Sequence, residues 1–273
     1  MKKIVVAHSP DSDDAFMFYA LAKGKIDTGS YKFEHMLSDI ETLNQKALEG
    51  VYEVSAISIH AYPYVADKYA LLRSGASMGY KYGPILVSKD PIESVKGKRV
   101  AVPGKLTSAY LELMLYESDF TPVFMNFDGI IGAVERGEVE AGLVIHEGQL
   151  TYEESRLHKV VDLGEWWYDE TGLPLPLGGN VIRKDLGEKL MREVSEHIKK
   201  AIIYSLEHED EALDYALEFG RGLDREDARK FVKMYVNELT VDCGEDGQRA
   251  IELLLDMGHE RGILKEKVRV EFV

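Results

Sequence analysis

The 273-residue sequence contains a single cysteine, Cys243, and this scarcity excludes a disulfide within the chain. A lone thiol is typical of proteins from reducing compartments. The sequence also lacks any apolar run near the roughly 20 residues that a membrane-spanning helix needs. The apolar run Ile4–Ala7 is too short for the core of a secretory signal peptide. We therefore expect a cytoplasmic protein that does not act in a membrane.

Basic residues are scarce relative to acidic ones. The chain has 33 Lys and Arg against 48 Asp and Glu, which gives a net charge of −15. A surface of this sign repels phosphate backbones and anionic lipid headgroups, so nucleic acid and membrane surfaces are not expected as partners. A small anionic ligand stays compatible with this charge, because helix N-termini and a few basic side chains can make one cleft locally positive.

The order of secondary-structure signals predicts an α/β fold with two lobes. Short β-branched runs alternate with helical stretches, as in mainly parallel sheets, and only helices are predicted after Arg183. The alternation restarts at residues 94–102, which indicates a second, smaller lobe. We expect the chain to cross between the lobes near Ile85–Lys89 and Gly178–Arg183, leaving a ligand cleft between them. The predicted lobes are residues 1–88 with 179–273 and residues 89–178.

In open parallel sheets, ligands bind beyond the carboxyl ends of the strands. This rule selects the segments His8–Asp14, Ser58–Tyr62, Ser77–Tyr80, Gly104–Ser108 and His146–Gln149. Hydroxyl groups at these strand ends, among them Ser9 and Ser58, are candidate hydrogen-bond donors to a carboxylate.

The segment Gly104–Ser108 is the best candidate anion site. Gly104 allows close approach of the backbone, and Thr107 and Ser108 place hydroxyls beside the free N–H groups at a helix start, with Lys105 between them and the glycine. A helix cap formed by Thr107 or Ser108 is compatible with this role. The glycine spacing does not match a nucleotide-binding P-loop.

His146 is the titratable residue with the clearest position, because it directly follows the predicted strand Ala141–Ile145 and precedes Glu147 at a helix start. Histidine exchanges protons near neutral pH, and a well-placed general base contributes about 10²–10⁴-fold in rate. A structural histidine bonded to a backbone carbonyl is the alternative, and position alone does not decide between them. No histidine pair has a specific metal-ligand spacing, so we expect no metal.

The acidic run from Asp11 to Asp14 has a simple interpretation. Aspartates are favoured at a helix N-terminus by the helix dipole, and we assign Asp11 and Asp13 to that role. Asp14 suits either this role or a place in the ligand site. The segment by itself supplies too few convergent oxygens for a divalent cation.

Three blocks of sequence resemble one known family. The block from Asp128 to Gln149, with Ile145-His146-Glu147-Gly148 near its end, resembles the signature of 1,4-dihydroxy-6-naphthoate synthases of the futalosine route to menaquinone. Ser9-Pro10 with the segment Asp14–Leu21 is similar to the N-terminal segment of that family, and Gly104–Ser108 resembles its Gly-x-x-Thr-Thr/Ser turn. The likeness extends over most of the chain.

The resemblance implies the type II periplasmic-binding-protein fold and a reaction without metal or redox cofactor. The family converts cyclic dehypoxanthinylfutalosine to the dihydroxynaphthoate. His146 would then be the general base that removes a proton beside a ketone before an elimination. Ser58, Thr107 and Ser108 would anchor the substrate carboxylate, and Glu147 and Gln149 would support them.

One segment departs from the family pattern. Asp11-Ser12-Asp13-Asp14-Ala15 stands where many members have Cys-Pro-Asn-Asp-Thr, which indicates a subfamily with shifted substrate contacts. Two alternatives stay open. The fold alone suggests a solute-binding protein for a small carboxylate, and a chorismate-dehydratase-like enolisation enzyme would share the same scaffold.

Overall fold

The first of two β-sheets draws strands from both halves of the chain, and the computed structural model describes residues 1–219 and 224–273. Its strands are β1 (Lys2–His8), β2 (Tyr31–Leu37), β3 (Val54–Ser58), β4 (Tyr69–Leu71), β5 (Ser77–Gly79) and β11 (Leu175–Arg183). In the order β2-β1-β3-β11-β4, β1 runs parallel to β2 and β3. β11 runs antiparallel to β3, to β4 and, off this path, to β5. All five residues of β3 are buried, as expected for a central strand.

The second sheet is formed by the middle of the chain. Its strands are β6 (Ile85–Ser88), β7 (Arg99–Val102), β8 (Thr121–Phe124), β9 (Ala141–Val144) and β10 (His158–Asp162). In the order β10-β6-β9-β7-β8, β7 is parallel to β8 and β9, whereas β6 is antiparallel to β9 and β10. Both sheets are therefore mixed rather than mainly parallel, because β6 and β11, the strands next to the crossings between the sheets, run against their neighbours.

Helices cover both sheets and dominate the last third of the chain. They are α1 (Ser12–Ala22), α2 (Ile40–Glu49), α3 (Ser108–Tyr116), α4 (Ile130–Glu135), α5 (Gly148–Thr151), α6 (Leu163–Thr171), α7 (Glu188–Glu207), α8 (Glu209–Ala216), α9 (Arg225–Tyr235), α10 (Glu238–Val241) and α11 (Gly244–Glu260). The prediction of helices beyond Arg183 is confirmed by α7 to α11. Of the helices in the described ranges, none is long and apolar enough to cross a membrane.

Helix α1 is buried on every side, which fixes the position of the acidic segment at its start. Its residues Ala15–Leu21 are all buried, and the helix packs against α7, α8 and α9. A helix that is apolar all round belongs in the interior of a protein. The Asp11–Asp14 segment is consequently held between the end of β1 and a rigid helix.

The observed crossings differ from the predicted ones. Strand β6 pairs within the second sheet, so the chain crosses before Ile85 rather than within Ile85–Lys89. All of β11 pairs within the first sheet, so the return precedes Leu175 rather than falling within Gly178–Arg183. The sequence hides this return because Pro176 is unusual within a strand. The register of β11 against β5 shifts between Pro176 and Gly178, and such bulges tolerate proline.

The two sheets share part of one apolar core. Ile57 and Leu71 from the first sheet lie in the same cluster of buried side chains as Leu86, Val100 and Leu143 from the second. The chain segments that follow β1, β3, β7 and β9 converge beside this cluster. The fold therefore brings distant strand ends together around one space between the sheets.

Candidate active site

A cavity of about 760 Å³, its open mouth included, lies between the two sheets. Strand ends and helix starts supply most of its polar lining, as the strand-end rule predicts. Seven of the predicted site residues line it: Ser9, Asp14, Ser58, Thr107, Ser108, His146 and Gln149.

Three further residues predicted for the site do not line this cavity. The side chain of Lys105 is exposed to solvent. Gly104 packs against α2, where an added Cβ would lie 2.5 Å from Oε2 of Glu41. Glu147 is buried next to His146, and its Oε1 accepts a hydrogen bond from the Ser12 hydroxyl at 3.2 Å. The turn before α3 faces the cavity only from Thr107 onward, because its earlier residues face α2 or solvent.

His146 occupies an unusual backbone position at the end of β9. Its φ is 54°, in the left-handed region that residues with a Cβ seldom adopt. Such strain persists only where the surrounding structure enforces it, and it is common at functional sites. The imidazole lies 4.7 Å from the ring of Phe127, centroid to centroid. The strained turn directs a side chain that would otherwise follow the strand into the space between the sheets.

The two nitrogens of His146 have different surroundings. Nδ1 lies 3.2 Å from Oδ2 of Asp11, whose side chain is 1% exposed. Nε2 has no hydrogen-bond partner among the described residues. Asp11 occupies the N-cap position of α1, but its side chain makes no hydrogen bond to the N–H groups of that helix. Asp11 therefore lies at the helix start, as predicted, and its carboxylate in addition faces the histidine.

Ser9 connects Asp11 to Asp14. The Ser9 hydroxyl lies 2.6 Å from Oδ2 of Asp11 and 2.9 Å from Oδ2 of Asp14, and the Ser9 N–H donates to the same Asp14 oxygen at 2.7 Å. One hydroxyl has one proton and cannot donate to both carboxylates. Burial raises the pKa of Asp14 to about 6, although the Ser9 N–H opposes this shift. A proton shared between these groups satisfies the geometry.

Asp13 lies in the first turn of α1, as predicted, but the sequence did not indicate that it also belongs to the site. It lines the cavity, it is 8% exposed, and its Oδ1 has no hydrogen-bond partner in the described part of the chain. Burial, together with the charges of Asp14, Asp11 and Glu147, raises its pKa well above the usual range. We call Asp13, Asp14 and His146, with Asp11 behind them, the acidic wall of the cavity.

Another part of the lining is neutral, and we call Ser58, Thr107 and Ser108 the hydroxyl wall. The Asn44 side chain holds Ser58 through two bonds, donating to its hydroxyl at 3.1 Å and accepting from its N–H at 2.9 Å. The Thr107 hydroxyl donates to the Gly104 carbonyl at 2.9 Å and accepts from the N–H of the third residue of α3. The Ser108 hydroxyl donates to a carbonyl of β11. The hydroxyl proton of Ser58 and the first N–H groups of α3 are thus the donors that suit an anion.

Two residues of the site gave no signal in the sequence. Tyr235 lines the cavity from α9 and donates its hydroxyl hydrogen to Oε1 of Gln149 at 2.6 Å. This bond orients the Gln149 amide so that its N–H₂ group stays available to a ligand. Burial raises the pKa of Tyr235 well above its usual range, so it stays a donor. Asn44 lies in mid-helix, and neither residue follows a strand, so the strand-end rule could not find them.

The other histidines near the strand ends serve the structure. His8 contacts the Ser9 carbonyl at 2.9 Å and His35 at 3.0 Å, and burial lowers its pKa to about 4. His60 contacts the Thr107 carbonyl at 3.1 Å, and burial lowers its pKa to about 4 as well. Both are neutral at pH 7 and do not line the cavity. His146 is therefore the histidine placed for proton transfer among the described residues.

Comparison with known proteins links this geometry to a family. The profile of a family described as "Menaquinone biosynthesis" matches residues 4–260. A curated 1,4-dihydroxy-6-naphthoate synthase from Thermus thermophilus is 43% identical over 273 residues, covering 100% of both chains. A protein of the same name from Streptomyces coelicolor is 35% identical over 265 residues, covering 95% of this chain and 94% of its own.

Solved structures show how widely the fold is shared. A crystal structure of a protein from Archaeoglobus fulgidus has a TM-score of 0.93 and 50% identity, covering 96% of this chain and 98% of that one. The periplasmic aliphatic sulphonate binding protein of Escherichia coli has a TM-score of 0.68 at 13% identity, covering 98% and 90%. The second likeness shows the fold alone, and it confirms the predicted two-lobed periplasmic-binding-protein architecture.

Proposed function

The chain belongs to the menaquinone-biosynthesis family, and from this membership we propose that it forms 1,4-dihydroxy-6-naphthoate from cyclic dehypoxanthinylfutalosine. The observation that carries the proposal is the 43% identity over the full length of a curated synthase. The cavity supports it, because one wall holds a histidine suited to proton transfer and the other holds donors suited to a carboxylate.

The proposed reaction begins with a proton transfer to His146. The Nε2 atom, which has no partner in the described residues, takes the acidic proton beside the substrate ketone. Elimination then breaks the bond to the sugar-derived portion, and formation of the aromatic ring favours this step. Burial of the site excludes water and strengthens each electrostatic contact with the developing charge.

The hydroxyl wall positions the substrate in this proposal. The carboxylate lies against the Ser58 hydroxyl and the N-terminus of α3, which starts directly after Thr107. Both Thr107 and Ser108 keep their own hydroxyl bonds, so they shape the turn that presents the helix N–H groups. Gln149 supports the ring from the side, oriented by Tyr235. The cytoplasmic location and the lack of nucleic-acid partners stay predictions.

Turnover by the purified protein tests this proposal against the two alternatives. Cyclic dehypoxanthinylfutalosine and chorismate are supplied separately, and the products are identified by mass spectrometry. Formation of the dihydroxynaphthoate from the first compound is the expected result. Conversion of chorismate alone would instead indicate the dehydratase-like enzyme. Tight binding of a carboxylate with turnover of neither compound would indicate a solute-binding protein.

A further inference from the structure

Asp11 is a buried acidic residue that lies behind His146. Its carboxylate is buried at 1% exposure in the loop between β1 and α1. Helix capping does not account for it, since the side chain makes no capping bond. A buried carboxylate needs a specific partner or a function.

The partner is the inner nitrogen of His146. Oδ2 of Asp11 lies 3.2 Å from Nδ1 of His146 and accepts the Ser9 hydroxyl at 2.6 Å. Nε2 is buried and has no hydrogen-bond partner within the described chain, and the residue lines the cavity. A carboxylate on Nδ1 fixes the proton there and leaves the lone pair on Nε2.

We propose that Asp11 is the positioning residue of His146, holding the Nδ1–H tautomer and stabilising the imidazolium that forms when Nε2 takes a proton from the substrate. The catalytic part of this role rests on the proposed function, whereas the tautomer of His146 is independent of it. The proton moves from the substrate carbon to Nε2, and the electron pair stays on the substrate as an enolate.

The other charged groups around His146 have different positions. Asp14 accepts a hydrogen bond from the N–H of Ser9, and Glu147 accepts one from the Ser12 hydroxyl. Asp13 faces the cavity, and its Oδ1 is unbonded among the described residues. Tyr235 from α9 donates a hydrogen bond to Gln149. Asp128 is the next residue after Phe127, whose ring contacts the imidazole. The carboxylate of Asp11, by contrast, lies within ion-pair distance of the imidazole.

The tautomer is measured by NMR on protein labelled with ¹⁵N-histidine, without substrate, at a pH where the imidazole is neutral. The signals of His146 are assigned by comparison with His146→Gln. We expect the Nδ1–H tautomer in the unmodified protein. In Asp11→Asn we expect the opposite tautomer, because an amide can donate to Nδ1 and drive the proton to Nε2. An Nε2–H tautomer in the unmodified protein would overturn the proposal even if the variant failed to fold.

A matched variant separates pairing from a general loss of negative charge. Asp13→Asn makes the same change two residues away in the same buried acidic wall. It should leave the His146 tautomer unchanged, whereas equal shifts in both variants would show that Asp11 has no specific role.

Activity provides the second readout. In Asp11→Asn, kcat should fall about 10²–10⁴-fold with KM little changed, and the acid limb of the kcat–pH profile should move to lower pH because the imidazolium loses its counter-charge. A rise in KM at constant kcat, with the pH profile unmoved, would contradict a positioning role. If no turnover is found with the unmodified protein, the NMR result still decides the tautomer, so failure of the proposed function and failure of this inference are distinguishable.

Discussion

The acidic wall and the hydroxyl wall line one cavity, but their polar groups find hydrogen-bond partners in different ways. On the hydroxyl wall, neutral partners fix each group, as Asn44 does for Ser58. On the acidic wall, carboxyls outnumber their donors, so Asp11 and Asp14 compete for the one hydroxyl of Ser9. Neutral hydrogen bonds change little with pH, whereas burial raises the pKa of Asp14 to about 6. One wall thus suits substrate binding, and the other suits proton transfer.

The largest effect is expected on the acidic wall. His146→Gln keeps a polar side chain of similar reach but removes the base, so kcat should fall about 10²–10⁴-fold with a small change in KM. Steady-state kinetics measure both constants. His158→Gln makes the same change at an exposed position on β10 and serves as the control. A large rise in KM at unchanged kcat would assign His146 to binding and remove the distinction between the walls.

Ser58→Ala tests the hydroxyl wall, and we expect it to change KM rather than kcat, with a smaller effect than His146→Gln. Loss of one hydrogen bond to a charged group costs about 1.5–3 kcal/mol, so KM should rise about 10–100-fold while kcat changes much less. Ser118→Ala, at an exposed position, is the matched control. A fall in kcat at constant KM would show that Ser58 acts in the chemical step and that the two walls share one role.

The smallest effect concerns stability rather than activity. Asp13 has a raised pKa in the folded protein, so the unfolded state loses its proton first as the pH rises. Its contribution to stability is present below about pH 4 and is lost at higher pH. Asp13→Asn should therefore raise the free energy of unfolding at pH 7 by about 1–3 kcal/mol and weaken its dependence on pH. Urea unfolding at several pH values measures both.

Glu112→Gln provides the comparison outside the cavity. Glu112 in α3 is fully buried with neither carboxyl oxygen bonded to a described residue, and burial raises its pKa well above the usual range. Asp162 is the one charge that adds to this shift, whereas three neighbouring acids add to that of Asp13. If the two variants gave the same pH dependence, burial alone would explain the behaviour of the acidic wall.

The sequence predicts one side of the site better than the other. Thr107, Ser108 and Ser58 follow strands and carry donors, so the strand-end rule finds the hydroxyl wall directly. His146 is found by the same rule. The role of Asp11 was missed because its partner lies on another sheet, and short-range spacing carries no information on such a contact. Tyr235 was missed because helix α9 reaches the cavity only through the packing of the last third of the chain.

The fold shows a similar division. Helices α7 to α9 and α11 were predicted because their apolar residues recur with the helical period. The first crossing was displaced because β6 is a four-residue run that fits either sheet, and pairing across the sheet decides between them. The second was displaced because Pro176 hides the start of β11. Local pattern therefore determined the elements, while non-local pairing determined which sheet each joins.

A crystal structure with bound 1,4-dihydroxy-6-naphthoate tests the assignment of the two walls most directly. We predict that the carboxylate of the ligand lies against the Ser58 hydroxyl and the first N–H groups of α3. A ring hydroxyl of the ligand should lie within hydrogen-bond distance of Nε2 of His146. A carboxylate bound at the acidic wall, or a ligand bound outside the cavity between the sheets, would contradict it.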